Sequence, residues 1–175
     1  MGSSTKNEVP LAEVGQNLFN YAIERDELKP ILQNLPSESK INPVAMEYEI
    51  QILKIVSVGW GIAYFAPDEA RKEAAAQTYW NIVQQFSGNI SSMSSASAGK
   101  DIDYFNILKD RLDIYVKALN VYSDVEDPGP VIGHTYAKLC GDEEDMYVMI
   151  AGKRVFHLAL AGVKGYLESV ETSRY

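Results

Sequence analysis

Apolar residues recur at intervals of three and four along most of this chain, the period of an amphipathic helix. The most regular run is Phe105, Leu108, Leu112, Tyr115, Leu119 and Tyr122, an a/d seam of nearly three heptads. A second line, Ile107, Ile114, Ala118 and Val121, lies on a different face of the same segment. A helix with two apolar faces needs cover on both. These four residues are therefore expected either to be sandwiched within a bundle or to meet another chain.

The same spacing returns near the C-terminal end in Met149, Gly152, Phe156, Ala159, Val163, Tyr166 and Val170. It also opens the chain in Leu11, Val14, Leu18, Tyr21 and Ala22. Between them, residues 43–65 are apolar in most directions, from Tyr48 and Ile50 through Leu53 and Val56 to Trp60, Ile62 and Phe65. A helix apolar all round is the buried, central one. Gly59 and Gly61, which flank Trp60, each disfavour a helix by about 1 kcal/mol against alanine, so either a close approach of a neighbouring helix or a kink is expected there.

Breaks divide these runs. Pro30 ends the first helix, predicted over 10–28, and a short turn of helix is expected at 31–35. Ala66-Pro67-Asp68-Glu69 starts a third long helix, predicted to run to Phe86, with proline and carboxylates in its first turn. Residues 87–100, rich in Ser, Ala and Gly, read as a flexible loop. Asp101 is the expected N-cap of the fourth long helix, and Asp142 that of the last. Asp124 to Pro130 is a break, followed by a short helix over 131–139. No strand pair and no internal repeat stand out. The fold class expected is all-α: a single-domain bundle of about five helices with one or two additional short helices, over 10–175, preceded by a disordered arm at 1–9.

Composition and charge narrow the function classes. The chain has 175 residues, 46% of them hydrophobic, enough for one core without staples. Its net charge of −8, with no Lys/Arg cluster to offset it, disfavours nucleic acid and anionic lipid as partners. Met1 to Lys6 lacks the apolar region of a secretory signal, and Cys140 is the one cysteine, so a reducing, cytoplasmic setting is expected. Ile55 to Ala66 is too short to span a bilayer, and Lys153, Arg154 and His157 interrupt 146–163, so no membrane span is expected.

Candidate chemistry is sparse. A di-metal carboxylate bundle needs Glu-x-x-His on two helices; here Val131 and Arg154 stand three residues before His134 and His157. One cysteine and two histidines do not make a zinc site. Cys140 precedes Asp142, Glu143, Glu144 and Asp145, whose charge opposes a thiolate. Ser57 lacks the Gly-x-Ser-x-Gly frame, and Gly99-Lys100 is followed by Asp101 rather than Ser or Thr. No catalytic residue, metal or cofactor is assigned.

Two readings follow. In the first, the protein acts without chemistry, through protein–protein contact and self-association into a dimer, with Ile107, Ile114, Ala118 and Val121 at the interface. In the alternative it binds a small molecule as a regulatory bundle. Trp60, Tyr64, Tyr79 and Trp80 would then line an aromatic pocket, with Arg154 or His157 as its polar anchor. An enzyme ranks below both, because the carboxylates cluster at helix starts, where capping accounts for them.

Overall fold

The computed structural model describes residues 7–173. Its helices are α1 (Leu11–Ile23), α2 (Lys29–Gln33), α3 (Pro43–Phe65), α4 (Glu69–Ala98), α5 (Tyr104–Val121), α6 (Gly129–Cys140) and α7 (Met146–Ser169). Five are long and two are short or shorter, and they enclose one core. This is the all-α bundle expected from the periodicity. The arm placed at 1–9 is corrected in part. Asn7–Pro10 form a strand, β1, which pairs in parallel with β2 (Val170–Ser173). No alternation announces this pair because each strand has only four residues and its partner lies at the far end of the chain. Residues 1–6 lie outside the described residues.

Helix α3 is the centre, as its all-round apolarity implies. Ile50, Ile52, Leu53, Ile55, Val58 and Ile62 are fully buried, and α3 packs on α1, α4, α5, α6 and α7. Asn42 caps its start, accepting from the Val44 N–H at 2.8 Å, with Pro43 in the first turn. The glycines flanking Trp60 admit neighbours. A Cβ on Gly59 would strike the Trp80 indole, and one on Gly61 would lie 2.9 Å from Val163.

Two charged residues of this helix, Glu49 and Lys54, are buried. Lys54 is 1% exposed. Its ammonium donates to the Glu24 carbonyl at 2.7 Å, lies 3.7 Å from the Glu27 carboxylate and stands 4.5 Å from the Tyr21 ring centre. Desolvation lowers its pKa, and Glu27 and Glu24 act against that. Gln51 donates to the Ala22 carbonyl at 2.8 Å. Together Lys54 and Gln51 satisfy orphan carbonyls at the end of α1. This helix stops at Ile23, not Leu28, because 24–27 are exposed and polar while Leu28 turns inward to be buried.

Helix α4 corrects the predicted loop at 87–100: it continues to Ala98. Its serines bond back along the helix instead of competing with it, Ser87 to the Val83 carbonyl at 2.7 Å and Ser91 to Ser87 at 2.8 Å. Ser91 also accepts from the Tyr104 N–H at 3.1 Å, tying α4 to the start of α5. Gly99, at φ +63, closes the helix in the left-handed conformation. The low propensity of the segment remains, and beyond Ser87 no residue of α4 is fully buried. Amides from Asn89 to Ala98 are therefore expected to exchange with solvent on the order of 100-fold faster than those of Tyr79 to Phe86. Hydrogen exchange followed by NMR would check this, and equal protection in the two segments would refute it.

The other caps differ slightly from expectation. Asp103, not Asp101, caps α5, accepting from the Asn106 N–H at 3.1 Å. Asp145, not Asp142, caps α7, accepting from Val148 at 3.1 Å. In both places several acids precede the helix, and the one at the geometrical N-cap takes the bond. Helix α7 is long and apolar enough by length and composition to cross a membrane, with a mean hydropathy of 1.3 over its most apolar stretch. Here Val148, Ala151, Val155, Phe156, Ala159 and Val163 bury that face against the rest of the bundle.

Candidate functional site

Helix α5 turns Tyr104, Leu108 and Tyr115 into the core and leaves its opposite side uncovered. Ile114 is 36% exposed and Val121 75% exposed, and Tyr122 and Val125 continue the apolar strip past the helix end. Between α5 and α6 runs a groove of about 640 Å³. Ile114, Ala118 and Tyr122 form one wall, and Val131, His134, Lys138 and Leu139 form the other. Of the four residues singled out as a possible interface, Ile114 and Ala118 line this groove and Val121 stands on the same strip. Ile107 is half-buried and packs on the core.

The wall from α6 escaped the sequence reading. Its signal was the spacing of Val131, His134, Thr135 and Lys138 on one side of a helix whose other side carries Ile132, Tyr136 and Cys140. The latter three are buried, so α6 has an inner face and a groove face. Charge is divided across the strip. Asp124 and Glu126 are exposed just beyond α5, while His134 and Lys138 rise from α6. Lys138 reaches its nearest carboxylate, Glu143, only at 3.9 Å.

The connection between the two walls is clipped to α7. Asp127 accepts from the Gly129 N–H at 2.8 Å, approaches the His157 ring nitrogen at 2.9 Å and lies 3.5 Å from the Lys153 ammonium. The Gly129 N–H and the His157 hydrogen bond hold the Asp127 carboxyl below its ordinary pKa.

Beneath α5 lies a buried polar group. Glu49 of α3, 4% exposed, takes a bidentate pair from Arg111, with Nη2 to Oε1 at 2.6 Å and Nε to Oε2 at 2.8 Å. The Tyr136 hydroxyl donates to the Met46 carbonyl at 3.0 Å. The Tyr115 hydroxyl is buried without a hydrogen-bonding partner among the described residues. Burial pushes the Cys140 thiol up to about 12, and the charges of Glu49 and Asp145 add to it. A thiol so held stays protonated at neutral pH, which disfavours the thiolate that a nucleophile requires. The arrangement fixes α5 and α6 on α3, and so sets the width of the groove. Glu49 and Lys54 were legible only as the rare charges inside an otherwise apolar helix.

The six residues considered for a ligand pocket do not converge on one of the cavities described. Tyr79 is fully buried and donates to the Ile55 carbonyl at 2.6 Å. Trp80 meets it edge to face, with centroids 5.2 Å apart, and Trp60 meets Phe156 likewise at 6.2 Å. Tyr64 is 83% exposed. Arg154 is exposed on α7, and His157 is engaged with Asp127. None of the six lines the α5–α6 groove or the cavity of about 450 Å³ beside the strand pair. Among the described residues no group of three or more His, Cys, Asp or Glu is placed to hold a metal ion.

No family model matches the chain, and neither a curated protein nor a solved structure matches it.

Proposed function

We propose that this protein works without chemistry, as a self-associating helical module whose dimer forms through the α5–α6 groove. The observation that carries this reading is the apolar strip of Ile114, Val121, Tyr122 and Val125 running beside an apolar groove on the same face. A ridge next to a groove is self-complementary. A two-fold axis across the face sets the ridge of one copy in the groove of the other. The same rotation brings Asp124 and Glu126 of one copy towards His134 and Lys138 of the other, so unlike charges meet at the rim. The net charge of −8 opposes association at long range, which makes the apolar contact the driving term.

Light scattering across a concentration series is the test. The expected result is a mass approaching twice the 19.5 kDa of one chain. Val121→Asp should raise the dissociation constant about 30-fold, as loss of a central apolar anchor does. Ile150→Asp, on the exposed face of α7, should leave it unchanged. A monomer at every concentration, or dissociation by the Ile150 variant in place of the Val121 variant, would sink this reading.

A further inference from the structure

Where the strand pair closes one end of the bundle, the first turn of α1, the α3–α4 corner and the last turn of α7 enclose a cavity of about 450 Å³. Its volume lies in the range of small-molecule sites. Leu11, Val14, Phe65 and Leu167 give it apolar walls, and Arg71, Glu8 and Glu168 bring both signs of charge to the same cavity. Three other grooves among the described residues differ in this respect. The α5–α6 groove offers only basic groups, His134 and Lys138. The shallow depression at the α4–α5 turn offers only Asp101 and Asp103. In the small hollow beside Tyr48 and Tyr104, Arg25 and Glu47 are paired with each other.

We infer that the cavity beside the strand pair binds a small zwitterion with an apolar body, of the kind an α-amino acid with an aromatic or branched side chain represents. The guanidinium of Arg71 takes the carboxylate, Glu8 and Glu168 take the ammonium, and the apolar body lies on the Phe65 and Leu167 wall. The charges lining the cavity are open to exchange. Arg71 meets Asp68 at 3.3 Å, and Glu168 meets Lys164 at 3.9 Å, both within their own helices and both solvent-exposed. Such pairs contribute little and give way to a ligand that offers better geometry. The Asp68 carboxylate is in addition engaged as the N-cap of α4, accepting from the Arg71 N–H at 2.8 Å.

The cavity also spans the marginal part of the fold. Glu8 belongs to β1 and Val170 to β2, and both line it. A two-stranded sheet of four residues a side is barely stable alone. An occupant that touches both strands, α1 and α4 therefore holds the strands together, and binding and strand pairing stabilise one another.

The test uses the whole chain with L-phenylalanine as the probe, and phenethylamine and 3-phenylpropionate as its two single-charge analogues. The expected result is a rise of about 3 °C in Tm at saturating L-phenylalanine. Methyl NMR shifts of Leu and Val should be confined to Leu11, Val14, Leu167 and Val170, with each analogue at least about 10-fold weaker. Arg71→Gln and Glu168→Gln should each weaken L-phenylalanine about 10-fold while leaving the helical CD spectrum unchanged. No methyl shift with L-phenylalanine would overturn the inference. So would equal binding of all three compounds, which would mean a crevice that reads apolar surface alone. Neither outcome touches the dimer reading, which rests on the groove between α5 and α6 and shares no lining residue with this cavity.

Discussion

Arg111→Met is expected to lower the free energy of unfolding by about 3–5 kcal/mol, because it strips a buried carboxylate of its partner. Glu49 is 4% exposed and receives both arms of the guanidinium. Methionine fills much of the volume of the arginine stem but offers no donor, so the Glu49 charge stays in the interior uncompensated. The desolvation of the carboxylate outweighs the modest net value of any ordinary hydrogen bond, about 1 kcal/mol. The companion variant carrying both Glu49→Met and Arg111→Met removes the charge with its partner, and should recover most of the loss. Denaturant titrations of the parent and the two variants decide the matter. A single variant within about 1 kcal/mol of the parent would mean that water reaches Glu49, and the pair would then be only an ornament of the surface. The same substitution frees α5 on α3, so in the double variant dimer formation reports whether the groove keeps its width.

Gly133→Ala is expected to destabilise the fold by about 2–3 kcal/mol. Helix α6 crosses α7 here so closely that a Cβ on Gly133 would run into the Met149 carbonyl, which is backbone and cannot swing aside. The neighbouring approach, a Cβ on Gly152 at 2.5 Å from the Tyr136 ring, shows the crossing from the other helix. Gly165, also in α7, has nothing within 4 Å of the Cβ it lacks. Gly165→Ala should therefore stabilise the fold by up to about 1 kcal/mol, through helix propensity alone. Thermal melts of the two variants should move in opposite directions. A shift of the same sign in both would mean that the α6–α7 crossing relaxes freely.

Periodicity carried the fold class and the order of the helices, and the bounds of α3, residues 43–65, agree at both ends because Asn42 and Pro43 start it and Ala66-Pro67 stop it. It failed at Ser87 to Ala98, where propensity argues for a loop but Ile90 packs on the core and Ser91 accepts from the Tyr104 N–H of α5, contacts that no local pattern contains. It failed again at β1 and β2, whose pairing joins the two ends of the chain. For the site, the strip of Ile114, Ala118 and Val121 was legible because one helix had too many apolar faces. The α6 wall was not, because a twelve-residue helix gives too few turns to separate an inner face from a groove face. The aromatic pocket expected around Trp60 and Trp80 illustrates the converse. Aromatic residues close in sequence are turned to different neighbours by the helix, and three of the four named, Trp60, Tyr79 and Trp80, settle into edge-to-face contacts in or against the core.

The pairing of Asn7 with Val170 brings the polypeptide in and out of the bundle at one corner. Because the strands run the same way, a bridge from Ser173 back to Asn7 has to retrace the length of the sheet, about 10 Å for three steps of an extended chain. A tether of four or five residues covers that span. Residues 7–173, joined by such a tether, are therefore expected to close into a ring that can be reopened at the Gly99 turn between α4 and α5 without disturbing the packing around α3.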